Sequence, residues 1–191
     1  MITKELQKRL LSSLILIPIT IFFIFQETPL FAFFLCILFT ATSYEWIKMN
    51  KKDVIKIIGI VYIFFAFILA YFLREKFSLG LFILVLIICI FTDLGGYIFG
   101  KFFKGPKLIK ISPKKTYTGA FGGFILSLVG GLIYVKYILN SDDQYFNLSI
   151  STDVALDEMY YLFILIISLI SQIGDLIISY FKRLAKVKDT G

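Results

Sequence analysis

The chain has 191 residues, of which 59% are hydrophobic and 22 are phenylalanine; its mean hydropathy is +0.88. That exceeds what a soluble domain carries and points to a lipid-embedded protein. The formal charge of +7 lies in short stretches between long apolar runs, which excludes a nucleic-acid patch, and the absence of histidine excludes histidine general-base catalysis and histidine metal ligation.

Taken in chain order, apolar runs of the length that crosses a bilayer as helix recur at about 10–25, 29–47, 54–73, 79–100, 119–139 and 159–181. The expected fold is therefore an all-α polytopic integral membrane protein with about six transmembrane helices. The first two runs are separated only by the sequence QETP, which suits a tilted or re-entrant first segment. Lysine and arginine alternate along the chain. Three precede the first run, four lie at 48–56, six at 101–115 and four after residue 181, which makes seventeen on one side. The opposite loops hold two, Arg74 and Lys76, and the acidic stretch 140–158 holds none. This positive-inside pattern predicts that both termini are cytoplasmic. The first run lacks a small-residue cleavage site and is followed at once by a second, so it does not read as a cleavable signal. Cys36 and Cys89 fall inside runs and read as small buried apolar residues.

Ionisable groups inside a membrane span are costly and mark function by default. Glu45, Asp93 and Asp175 qualify, and the topology places each toward the cytoplasmic end of its run. In the fourth run, Asp93 follows Thr92, and carboxylates of this kind suit magnesium, which bridges a few acids and substrate phosphates. Gly95, Gly96 and Gly100 are spaced for close helix contact. The stretch KGPKLIKISPKKTYTGAFGG at 104–123 then interleaves lysines with Ser112, Thr116 and Thr118 before a helix start. Hydroxyls, ammonium groups and the N–H groups of a helix N-terminus together make a phosphate site, although a basic loop facing anionic headgroups has the same charge. Gly119, Gly123, Ser127 and Gly131 repeat every four residues as a packing stripe. In the last run, Ser168, Ser171, Gln172, Asp175, Ser179, Lys182, Arg183 and Lys186 fall within about 60° of one line at 100° per residue. The serines and Gln172 suit helix packing, whereas Asp175 at that depth needs a cation, either a basic side chain or a metal.

The segments TDLGGYIFGKFFKG and KISPKKTYTGAFGG, followed about 80 residues later by GDLIISYFKRLAKVKDTG, resemble the core and C-terminal signature of phosphatidate cytidylyltransferases, the CDP-diacylglycerol synthases. The sequence YEW at residues 44–46 is similar to an upstream feature of bacterial members. The resemblance implies transfer of a cytidylyl group from CTP to phosphatidic acid with a divalent cation such as Mg2+, in phospholipid biosynthesis. Carried over, Asp93, Asp175 and Asp189 are acids of the catalytic and metal site. Ser112, Lys114, Lys115 and Thr116 handle substrate phosphate, and Lys182 and Arg183 are the basic pair of the signature. The implied setting is a bacterial inner membrane with the site facing the cytoplasm, in a single membrane domain whose 1–90 spans precede a 91–191 catalytic core. A homodimer is also implied, for which the small-residue stripe of the fifth run offers either a seam or an internal packing face.

In the family, the signature continues past the KD element into a histidine-containing glycine stretch and further acids. The expectation is therefore a C-terminally truncated chain, inactive by itself, which reading the gene beyond Gly191 checks. Two other functions remain open: a CTP-dependent lipid kinase of the polyprenol or phytol type, and a transporter using the intramembrane acids. The pairing of SPKKTYTG with KRLAKVKD favours the cytidylyltransferase. The one-sided clustering of the acids and the lack of an internal repeat disfavour the transporter.

Overall fold

The computed structural model describes the backbone of residues 4–109, 112–139 and 158–185, and the side chains of 13–108, 115–137 and 159–185. Six helices dominate: α1 (Lys4–Ile24), α2 (Thr28–Met49), α3 (Asp53–Phe72), α4 (Leu79–Phe103), α5 (Tyr117–Tyr134) and α6 (Glu158–Leu184). Both α3 and α5 run on into one turn of π-helix, at Leu73–Phe77 and Val135–Leu139. The basic segment between α4 and α5 is not a plain loop. It forms an antiparallel hairpin of β1 (Lys107–Ile109) and β2 (Ser112–Thr116), with Lys107 opposite Thr116 and Ile109 opposite Ser112.

Local chemistry sets the helix ends. Pro29 lies in the first turn of α2, where its missing N–H costs nothing. The Ser78 hydroxyl accepts from Leu81 N at 3.1 Å and caps α4. Lys104 ends α4 in the left-handed region at φ 41°. Thr116 caps α5 by accepting from Gly119 N at 3.1 Å.

Among the described residues, five helices are long and apolar enough to cross a membrane: Thr28–Met49, Asp53–Phe77, Leu79–Phe103, Tyr117–Tyr137 and Met159–Leu184. The first of the six expected spans is helix α1, whose side chains are described over the apolar stretch Ser13–Ile24 and which contains Pro18. At 1.5 Å per residue the 21 residues of α1 extend about 31 Å, comparable with the ~30 Å hydrocarbon layer.

The centre of the bundle is α4. Leu84 and Ile88 are fully buried with Tyr134, Val135 and Ile164, joining α4 to the end of α5 and to α6. Ile24, Phe31 and Phe82 form a second cluster that attaches α1 and α2. Towards the hairpin end, α4 and α5 touch backbone to backbone. A Cβ on Gly95 would collide with the Gly122 carbonyl, and one on Gly119 would sit 2.7 Å from the Gly96 carbonyl oxygen. The stripe Gly119, Gly123, Ser127 and Gly131 is buried within this single chain, so it is an internal packing face and not a free seam. Cys36 departs from expectation, since it is exposed on the bundle exterior, while Cys89 is half-buried.

Two anchors tie the N-terminal helices to this core. At one end, the Arg74 guanidinium lies 4.5 Å above the Phe31 ring and donates from Nε to the Ile24 carbonyl at 3.1 Å. It also bonds Gln26 O and Glu75, and Glu75 accepts from Thr28 Oγ1 at 2.7 Å. At the other end, Trp46 packs onto Gly59, where a Cβ would occupy the indole's place. Its Nε1 donates to the Ile55 carbonyl at 3.1 Å, and its ring meets Phe181 of α6 at 5.3 Å.

Candidate active site

Two of the acids expected to act together, Asp93 of α4 and Asp175 of α6, line one cavity of about 280 Å³. Lys115 from β2 and Thr116 line it too, as do Tyr97 and Gln172. The cavity lies where α4, the hairpin, the start of α5 and α6 converge.

Each wall has a local cause. Asp93 follows Thr92, which is 2% exposed. The Thr92 hydroxyl donates to the Ile88 carbonyl at 2.7 Å and lies 2.8 Å from the hydroxyl of Ser168, itself fully buried. That contact fixes the rotation of α4 against α6 just below the two acids. One turn closer to Asp175, Gln172 donates to the Ala120 carbonyl at 3.3 Å, joining α6 to α5. The serine and glutamine of the polar stripe thus serve helix packing, as their spacing suggested.

The hairpin is held in register with α5. Thr116 and Thr118 hydroxyls lie 3.1 Å apart, Gly105 N donates to Thr118 Oγ1 at 3.3 Å, and Tyr117 N donates to the Pro106 carbonyl at 3.0 Å. Gly100 permits this closeness, since a Cβ there would sit 3.2 Å from Thr116 Oγ1. From this clipped strand Lys115 reaches across and pairs with Asp175. The cation that the depth of Asp175 demanded is a lysine from a different element.

Other expected site residues are not at the cavity wall. Lys182 and Arg183 follow Asp175 by about two turns on α6, half-buried and exposed respectively, and neither lines the cavity. Ser112 and Lys114 belong to β2, but their side chains lie outside the described residues, as does the whole of Asp189. Glu45 is exposed near the end of α2 and does not line the cavity. Tyr97 was not singled out from the sequence, although its spacing of four from Asp93 puts both on one face of α4. It is 66% exposed at the cavity, with Lys101 Nζ 3.4 Å from its hydroxyl.

The chemistry of this wall is that of an anion site with acids. A buried ammonium group, hydroxyls and a helix N-terminus can receive phosphate, and two carboxylates on separate helices can share a hard cation with it. Among the described residues no cluster of three or more acids or thiols forms a self-sufficient metal cage. Two carboxylates nonetheless fit Mg2+, which commonly takes one or two acids plus substrate phosphates.

Comparison with known proteins gives this wall its context. The profile of the Cytidylyltransferase family matches residues 53–191, a span that includes Asp93, the hairpin and Asp175. The phosphatidate cytidylyltransferase of Rickettsia conorii is 35% identical over 191 residues, covering 96% of this chain and 78% of that protein. The protein of the same name from Rickettsia bellii is 32% identical, covering 98% and 79% respectively. That of Staphylococcus haemolyticus is 39% identical over 101 residues, 52% of this chain and 34% of that protein. No solved structure matches. With most of the chain matched by the profile, and Rickettsia relatives aligned over nearly all of it, this protein belongs to the cytidylyltransferase family.

Proposed function

We propose that the protein is a CTP:phosphatidate cytidylyltransferase, a nucleotidyltransferase that makes CDP-diacylglycerol and pyrophosphate for phospholipid synthesis. The observation that carries the reading to these residues is the meeting of Asp93, Lys115 and Asp175, from three separate elements, at one cavity. The names of the Rickettsia and Staphylococcus relatives supply the substrates.

In this reaction a phosphate oxygen of phosphatidic acid attacks the α-phosphorus of CTP. The new P–O bond forms as the bond from the α-phosphorus to the bridging oxygen breaks, and pyrophosphate leaves with that electron pair. The attacking oxygen is already anionic, so no general base is required. The difficulty is bringing two anions together, and neutralising and aligning them is the work of the site. Lys115 and the hydroxyl of Thr116, at the start of α5, receive phosphate oxygens. Ser112 and Lys114 on the same strand extend this phosphate-handling edge, Lys182 and Arg183 are partners for either substrate's phosphate, and Asp189 is a further acid of the catalytic and metal site. Asp93 and Asp175 are the residues that would hold Mg2+, whose chemistry when bound is charge neutralisation on the transferring phosphoryl group. A site at the cytoplasmic face of a bacterial inner membrane lets acyl chains stay in lipid while CTP arrives from water. Residues 91–191 make up the catalytic core, on 1–90 as supporting spans.

The test uses protein expressed from its complete reading frame and reconstituted in lipid. With labelled CTP, phosphatidic acid and Mg2+, it should yield CDP-diacylglycerol and pyrophosphate, and omission of the cation should stop turnover. Release of CDP in place of pyrophosphate would instead identify a lipid kinase. Asp175→Asn should abolish turnover while membrane insertion persists, and unchanged activity in that variant would defeat the site assignment.

A further inference from the structure

The pairing of Lys115 with Asp175 has an asymmetry. The Lys115 side chain is 23% exposed and that of Asp175 is 58% exposed. The Lys115 Nζ atom itself is buried and, among the described residues, is paired with the Asp175 carboxylate. Its backbone is fixed by strand β2 and the Thr116 cap, but its four-carbon stem is free to turn. Asp93 stands at the same cavity. The ammonium group is therefore paired with one oxygen of Asp175 at the cavity, and a divalent cation held by that carboxylate and substrate phosphate would compete with it.

We propose that Lys115 is a displaceable counter-ion of Asp175, which a divalent cation must evict before the site is loaded. The proposal rests on the reading of Asp175 as a metal-holding acid. Without substrate, the lysine neutralises a carboxylate that would otherwise be uncompensated in the membrane. When a nucleoside triphosphate and cation arrive together, the cation takes Asp175 and the ammonium turns to the incoming phosphate oxygens, which keeps every charge paired. Two consequences follow from one side chain: the free protein binds the divalent cation weakly, and phosphate and cation favour each other's binding. The lysine is thus a gate against loading with metal alone as well as a phosphate ligand.

The experiment measures Mn2+ binding to the full protein in lipid nanodiscs by electron paramagnetic resonance, without nucleotide. Removing the competing charge in Lys115→Met should tighten Mn2+ binding about tenfold, within the usual range of coupling between two ligands at one site. Lys115→Arg, which keeps the charge, should stay within about twofold of the parent, equivalent to about 0.4 kcal/mol at 1.4 kcal/mol per decade. Lys115→Gln provides a second neutral variant should the methionine variant fail to fold. If the neutral variants bind Mn2+ no more tightly than the parent while Asp175→Asn binds it far more weakly, the eviction proposal is overturned and the metal-site reading stands. If Asp175→Asn binds Mn2+ as the parent does, the metal does not use Asp175, and the underlying reading falls with the proposal.

Discussion

At the scale of single residues, the site depends on polar contacts placed just beneath its acids. Thr92 and Ser168 are both buried, and each is the other's partner across α4 and α6. Replacing Thr92 by valine keeps the shape but leaves the Ser168 hydroxyl short of a partner, at a cost of about 1 kcal/mol. Because Thr92 precedes Asp93, the expected outcome is a modest fall in melting temperature with a larger fall in turnover. A double variant with Ser168→Ala should recover part of the stability, since removing both partners of a buried pair is cheaper than removing one. Thermal unfolding of the four proteins in one detergent checks this. The acids were legible from sequence because a charge inside an apolar run is conspicuous. By spacing Lys115 was one lysine among six in its segment; the family resemblance narrowed the phosphate-handling lysines to Lys114 and Lys115, and nothing in the sequence tells which of them reaches Asp175.

At the scale of elements, glycine has opposite meanings at two positions. Gly95 lies where α4 meets the α5 backbone, so Gly95→Val should prise the helices apart. The expected cost is at least the ~1–3 kcal/mol typical of overpacking, and more because the obstruction is backbone. Gly174 lies in the interior of α6, and a Cβ there would meet nothing within 4 Å. Gly174→Ala should therefore raise stability by about 0.4–1 kcal/mol, by restricting the unfolded chain and favouring helix. Opposite shifts in melting temperature confirm this account; equal shifts would refute it. Trp46 is the corresponding element-scale anchor for α2, α3 and α6. Trp46→Ala removes a buried indole that touches Gly59 and Phe181, and a loss of about 3–5 kcal/mol is expected. Helix periodicity and small-residue spacing made the α4–α5 contact readable in advance. They did not show that Gly95, rather than Gly96 or Gly100, makes the tightest approach, because that depends on the angle at which the helices cross.

For the whole molecule, the first helix sets on which side of the membrane the N-terminus lies. The charge pattern puts the N-terminus with the loops rich in lysine and arginine, and α1 must then cross the membrane; with five crossings the two termini lie on opposite sides. Single cysteines at residue 4 and at residue 104, in a protein with Cys36 and Cys89 replaced, distinguish these by labelling with a membrane-impermeant maleimide. Both should be protected in intact cells and react only after lysis if both termini are cytoplasmic. Reaction of the residue-4 cysteine alone in intact cells would assign α1 to a non-crossing segment.

The sequence by itself determined the membrane class, the six long helices and the intramembrane acids, Asp93 and Asp175 among them. These follow from composition and from the cost of placing charge in hydrocarbon, which act along the chain without reference to the fold. Its motifs also carried the family resemblance. Only the tertiary structure decided that Asp93 and Asp175 share one cavity, that the basic segment folds into a hairpin, and that Lys115 is the ammonium facing Asp175. Those facts depend on helix rotation and strand register, which are set by contacts between residues as far apart as Thr92 and Ser168. No local pattern encodes such a contact, because its energy exists only once the helices have packed.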